Sequence, residues 1–166
     1  SISYDDLVSE IESINNDNKI NGVMLQLPLS KELNDHERKI LDHIDWRKDV
    51  DGLTTSSIGR LVVGEVSLEP CTPKGIITLL KVYGVDLVGK NVVIVNRSNI
   101  VGKPLEQLFL RENATTTICH SKTKNLSEVC SCADIVVAAM NKQEMVDSSY
   151  VKDGAIVIDV GVHKNS

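Results

Sequence analysis

The chain has 166 residues, 42% hydrophobic and 25% charged, with a formal net charge of −5, the balance of an ordinary globular protein with room for one domain or one domain and part of another. Mild acidity leaves no basic patch to neutralise a row of phosphates, and aromatics at 3% leave no base-stacking platform, so a nucleic-acid partner is excluded. No apolar run approaches the roughly 20 residues that span a bilayer, and Cys71, Cys119, Cys130 and Cys132 lack the paired spacing of a zinc site, so neither membrane nor metal is expected.

In chain order, Ser3-x-x-Asp6 reads as a capping box, and Leu7, Val8, Ile11 and Ile14 at helical spacing predict an amphipathic helix over 4–15. "INGVMLQLPL" is a nearly unbroken apolar run stopped by Pro28 and predicts a strand buried on both faces. Asn34-x-x-Glu37 predicts a capped helix with Leu33, Ile40, Leu41 and Ile44 inward. Residues 45–70 show no sustained periodicity and read as loop with short fragments. Thr72 and Pro73 open a helix that carries Ile76, Ile77, Leu80 and Tyr83 and ends at Gly84. From there strands at 91–95, 115–119, 134–139 and 155–160 alternate with helices near 103–112, 125–131 and 147–151. Continuous apolar strands of this kind predict a parallel sheet covered on both faces. The expected class is α/β: a Rossmann-like doubly wound parallel sheet at 71–166, preceded at 1–70 by part of a second α/β domain and a junction loop. The cysteines are expected to be reduced, half-buried structural thiols.

In such a sheet a ligand lies across the carboxyl ends of the strands, and the first strand–helix turn receives phosphates on the helix's unpaired N–H groups. Here that turn is Asn96-Arg97-Ser98-Asn99-Ile100-Val101-Gly102, with Pro104 just inside the helix. Gly102 permits a close backbone approach, and Ser98 supplies a hydroxyl. About 20 residues on, a site for NAD places an acid at the end of the second strand for the ribose hydroxyls. This chain has His120, Ser121, Lys122 and Thr123 instead. Without an acid to repel it, a ribose 2′-phosphate can be gripped by the Arg97 fork and by Ser121, which favours NADP.

Three weaker signals lie upstream. Gln26 interrupts an apolar strand and needs a partner, either as a satisfied core amide or at a strand end facing a cleft. Asp49 and Asp51 stand two apart in "KDVDG", which reads as a charged surface turn or as a functional pair, and "EPCTPKG" is a proline-bracketed helix entry. The ordered set "QLPL", "KDVDG", "GRL", "PCTPKG", "RSNIVGKP", "CHSKT" and "GAIVIDVG" resembles the bifunctional methylenetetrahydrofolate dehydrogenase/cyclohydrolase family from about residue 4 to residue 163.

That resemblance implies that 1–70 is the C-terminal part of a folate-binding catalytic domain and 71–166 an NAD(P)-binding domain. It implies NADP-dependent oxidation of methylenetetrahydrofolate and hydrolysis of the methenyl product to formyltetrahydrofolate, in a homodimer of the cytoplasm or mitochondrial matrix. Asp51 would bond the pterin and Gln26 would partner a catalytic lysine. Asn96, Arg97, Ser98 and Ser121 match NADP positions, and Val162 matches an apolar contact after the last strand. The chain departs from the pattern in three places. No Tyr-x-x-x-Lys segment or Pro/Gly-rich return segment is present, so the chain is expected to be a fragment, inactive by itself. Asn96 replaces a common glycine, its tolerance of positive φ preserving the turn. "AAMNKQEM" replaces a small-residue turn, so that Met140 and Asn141 would narrow the nicotinamide side. A non-catalytic dinucleotide-binding module and a two-domain dehydrogenase for another small substrate are the alternatives.

Overall fold

The computed structural model describes residues 2–65, 68–140 and 146–161. The chain divides into two compact units, residues 1–70 and 71–166.

In the first unit α1 (Tyr4–Asn16) starts on Ser3, whose hydroxyl oxygen accepts from Asp6 N–H at 3.2 Å and donates to the Asp6 carboxylate at 2.7 Å. Its carboxyl end is closed by Lys48, whose Nζ donates to the carbonyls of Ile14, Asn15 and Asp17 at 2.9, 2.8 and 2.8 Å. An ammonium has three hydrogens to give, and all three go to the negative end of the helix. Replacing Lys48 by methionine keeps the stem and removes those bonds; the expected cost is about 1–2 kcal/mol after allowance for partial exposure. The shift of the denaturant midpoint, followed by the fluorescence of Trp46 in the same unit, measures it.

The segment 20–29 is not the doubly buried strand that its composition predicts. It makes one isolated parallel bridge, Val23 to Asp49, and its exposure alternates. Val23, Leu25, Leu27 and Leu29 pack on the core of Ile11, Leu33, Ile40, Leu41, Ile44 and Leu53, whereas Met24 is 58% exposed. With one bridge and one covered face, period-two alternation decides which side chains are buried. In place of the one helix predicted from the Asn34-x-x-Glu37 cap stand two short ones, α2 (Lys31–Asn34) and α3 (Glu37–Leu41). Asn34 ends α2 rather than capping α3, and His36 stands at the break with its ring edge-on to Tyr4, centroids 5.3 Å apart.

Residues 45–70 hold a full helix, α4 (Thr55–Val62). Its first amides find acceptors far back in sequence: Thr55 N–H on Asp42 at 2.7 Å and Thr54 N–H on Asp49 at 2.8 Å, with Ser57 N–H on the Thr54 hydroxyl at 3.1 Å. The Arg60 guanidinium lies 3.6 Å above the Trp46 ring and also pairs with Glu65.

The second unit opens with α5 (Cys71–Val82), two residues earlier than a cap at Thr72 with Pro73 in first position predicts, and Gly84 follows at φ 71. Then come β1 (Asn91–Val95), α6 (Gly102–Arg111), β2 (Thr115–Cys119), α7 (Leu126–Ser131), β3 (Ile135–Ala138), a 3-10 turn at Ser148–Tyr150 and β4 (Ile156–Asp159). The four strands are parallel in the order β2-β1-β3-β4, with Val95 beside Cys119 and Ala138. On one face Val93, Val95, Cys119 and Val136 pack with Leu126, Val129 and Cys130 of α7. Alternation turns Val92 and Ile94 to the other face, where α6 lies against β1 and β2. Only β1 and β3 are covered on both faces; the edge strands expose Thr115, Thr117 and Val157. The sheet is the doubly wound arrangement that the strand–helix alternation predicts. At its amino edge Asp134 accepts from Asn91 N–H at 2.8 Å and pairs with Lys152 at 2.6 Å; the Lys152 bond, then the amide, hold its carboxyl below the usual range. The thiols are not uniformly half-buried: Cys71 and Cys132 are exposed, Cys119 and Cys130 buried. Burial, with Cys119 adding to it, pushes the Cys130 thiol up to about 11.

Candidate functional site

The strand order reverses between β2 and β3 on either side of β1, so the crevice for a ligand opens at the carboxyl ends of β1 and β3. Asn96 sits there. Its Nδ2 donates to Ala139 O, just past β3, at 2.6 Å. Its Oδ1 accepts from Ser98 N–H at 2.7 Å and Gly102 N–H at 3.1 Å. One carboxamide thus latches the first turn to β3 and folds the turn back on itself. Asn96 does not use positive φ, which among the non-glycine described residues occurs only at Asn113 and Asn125; the amide, not backbone tolerance, is what asparagine supplies here.

The amides at the start of α6 are already engaged, contrary to the expectation of an unpaired helix terminus. Val101 N–H goes to Ser98 Oγ at 3.0 Å, Gly102 N–H to Asn96, and Lys103 N–H to Ser98 O at 3.1 Å, while Pro104 has none. Gly102 is needed for the strand rather than shown to approach a ligand: a Cβ there would lie 2.2 Å from Asn96 O and 2.9 Å from Arg97 N. What the turn presents outward is side chains. Arg97 is exposed and has no hydrogen bond or ion pair among the described residues, and Ser98 keeps its hydroxyl hydrogen.

Beside it, β2 ends in a turn closed by Thr123 N–H on His120 O at 2.8 Å and His120 N–H on Thr123 Oγ1 at 2.9 Å, with Lys122 N–H on His120 Nδ1 at 3.1 Å. Ser121 and Lys122 are exposed at its corner. Because Val95 pairs with Cys119, the turns bearing Arg97 and Ser121 leave neighbouring strands at the same level. The set is cationic and hydroxyl-bearing, with no carboxylate from His120 to Lys124. That donor set fits a phosphorylated ribose.

The upstream residues separate in role. Gln26 is exposed, not a core amide, and its Nε2 donates to the carbonyl of Leu27 at 2.9 Å. Asp49 and Asp51 are not an equivalent pair. Asp49 is 2% exposed, and its Oδ2 accepts from Thr54 N–H at 2.8 Å and Ser57 Oγ at 2.7 Å. Asp51 is half-buried on the following turn. Gly52, at φ 64, holds that turn against residues 68–70, where a Cβ would meet Leu68 O at 2.5 Å. Asp49 is thus the anchor that positions Asp51, a role sequence spacing did not separate from a surface turn. Val162 and Asn141 lie outside the described residues, and Met140 packs on the α7-side core. Among the described residues no His/Cys/Asp/Glu group can hold a metal ion, and no helix is long and apolar enough to cross a membrane.

Comparison with known proteins fits this division. Residues 70–166 match the family model for the tetrahydrofolate dehydrogenase/cyclohydrolase NAD(P)-binding domain, and residues 1–51 match its catalytic domain. The bifunctional protein FolD of Agathobacter rectalis is 52% identical over 162 residues, which are 98% of this chain and 57% of that protein. The crystal structure of the bifunctional enzyme FolD, methylenetetrahydrofolate dehydrogenase/cyclohydrolase, from Campylobacter jejuni superposes with a TM-score of 0.93 at 39% identity, over 98% of this chain and 57% of that one. The methylenetetrahydrofolate dehydrogenase-cyclohydrolase of Trypanosoma brucei, solved with NADP cofactor and an inhibitor, gives 0.89 at 31% identity, over 98% and 56%. The chain spans a little over half the length of these relatives. With one family model on each unit and the dinucleotide-type turns in the second, the chain belongs to the tetrahydrofolate dehydrogenase/cyclohydrolase family.

Proposed function

We propose that this chain binds NADP across the carboxyl edge of its parallel sheet, in the service of methylenetetrahydrofolate oxidation and hydrolysis of the methenyl product to formyltetrahydrofolate. Arg97 supports the cofactor assignment most directly: an exposed guanidinium with no hydrogen bond or ion pair among the described residues, level with Ser121 on a turn that carries no acid. It would take the ribose 2′-phosphate in a two-pronged contact, with Ser121 adding a hydroxyl and Ser98 and Asn96 lining the first turn; Val162 is proposed as an apolar contact on family likeness alone. When bound, the cofactor supplies a hydride acceptor; the chain's part is to seat it.

On the folate side Asp51 would accept from the pterin ring, and Gln26 would partner a catalytic lysine. None of the three tyrosines here has a lysine four positions on. Hydride transfer and hydrolysis are therefore proposed for a protein that includes such a segment, and cofactor binding for this chain. A homodimer is proposed on family likeness alone. The free thiols suit a reducing compartment, the cytoplasm or the mitochondrial matrix.

Calorimetric titration of the chain with NADP and NAD tests the cofactor reading. Arg97→Ala is expected to weaken NADP by about 1.5–3 kcal/mol, the range for a charged hydrogen bond, and to leave NAD nearly unchanged. Equal losses for both cofactors overturn the phosphate assignment.

A further inference from the structure

Resting on the NADP reading, we infer that His120 is a positioning residue for cofactor selectivity: as a neutral imidazole it builds the turn that presents Ser121 to the 2′-phosphate. Three of its groups are engaged within four residues. Its N–H goes to Thr123 Oγ1 at 2.9 Å, its carbonyl accepts from Thr123 N–H at 2.8 Å, and its Nδ1 accepts from Lys122 N–H at 3.1 Å.

The last bond fixes the chemistry of the ring. A nitrogen that accepts from an amide carries no proton, so the imidazole proton sits on Nε2 and the side chain is uncharged in this arrangement. His120 therefore does not serve as a second cation beside Arg97. It acts as an acceptor that pins the Lys122 amide and so closes the corner formed by Ser121 and Lys122, both of them exposed. The turn follows directly on Cys119, the buried last residue of β2. The turn is in this way attached to the buried end of the strand. Without the Nδ1 acceptor the backbone bond of the turn remains, but the Lys122 amide loses its partner and the Ser121 hydroxyl loses a defined place.

Asparagine separates this role from the others. Its Oδ1 stands the same number of bonds from the backbone as histidine Nδ1 and can accept the same amide, yet it offers no imidazole. Glutamine places its oxygen one carbon further out and cannot close the same ring. Titration of the 166-residue chain with NADP and with NAD, for wild type, Arg97→Ala, His120→Ala, His120→Asn and His120→Gln, decides the matter. His120→Ala and His120→Gln are expected to lose about tenfold in NADP affinity and to leave NAD within twofold, with His120→Asn restored to near wild type. A purely structural role would weaken both cofactors together. A direct imidazole contact would leave Asn as poor as Ala. Either result overturns the inference, as does wild-type selectivity in His120→Ala. Arg97→Ala is the separate control: if it fails to discriminate the two cofactors, the underlying NADP assignment falls, whatever His120 does.

Discussion

Gly102→Ala is expected to destabilise the second unit by about 3 kcal/mol, the upper end of the usual overpacking penalty. The added Cβ would meet Asn96 O at 2.2 Å, Asn96 C at 2.6 Å and Arg97 N at 2.9 Å, all of them main-chain atoms. A side chain in the way can rotate; here either the first turn of α6 or the end of β1 must move. That movement pulls Gly102 N–H from Asn96 Oδ1 and loosens the bond from Asn96 to Ala139, so cofactor affinity should fall with stability. The only tryptophan, Trp46, belongs to the first unit, so a probe within the second unit is the direct one. Hydrogen exchange at the β1 amides reads it. Wild-type protection there in Gly102→Ala would show that the strand and helix separate at little cost.

Asp49→Ala should be about as damaging, for the opposite reason: it leaves a hole in a polar network. The carboxylate is 2% exposed, and one oxygen serves both Thr54 N–H and Ser57 Oγ. The Ser57 oxygen already accepts from the Thr54 hydroxyl at 2.9 Å, so that bond does not take up the Ser57 hydrogen, and the Thr54 amide loses its acceptor as well. An orphaned buried donor costs about 1–3 kcal/mol, and loss of the charged acceptor for the hydroxyl adds a similar amount, so a net loss of about 3 kcal/mol is expected. Against a total stability of roughly 5–15 kcal/mol that is a large fraction. Asn keeps an acceptor oxygen of the same reach, so Asp49→Asn should recover at least half of the loss. Urea unfolding followed through Trp46 fluorescence reads both variants. An alanine variant within about 0.5 kcal/mol of wild type, the range of an ordinary surface change, would mean that water supplies the missing acceptor.

The two units were unequally legible in the sequence. In the second, local rules agree with one another: the apolar runs at 92–95 and 135–138 are buried on both faces, and Gly84 ends α5 at positive φ. In the first, α1 is capped locally by Ser3, but α4 leans on more than its own Thr54 cap: the acceptors for its first amides include Asp42 and Asp49, and Gly59 with several Ser and Thr residues weakens its propensity. The run at 20–29 misled for a related reason: apolar content reports how much surface is buried, while pairing decides which face, and here only Val23 is paired. Within the site, Arg97, Ser98 and Ser121 were readable as residue types on turns that the strand pattern locates. The carboxamide role of Asn96 was not, because it depends on Ala139 standing 2.6 Å away across a neighbouring strand. The corner built by His120 was not read either, although its partners lie within three residues.

The placement of the thiols makes the fold its own clock. An alkylating reagent meets Cys71 and Cys132 in the folded chain, while Cys119 and Cys130 face each other's layer in the closed core under α7. Modification should come in two steps, the first set by ordinary thiolate chemistry and the second by how often α7 lifts from the sheet. The second rate counts those openings directly, beneath the strand whose end carries the Ser121 corner.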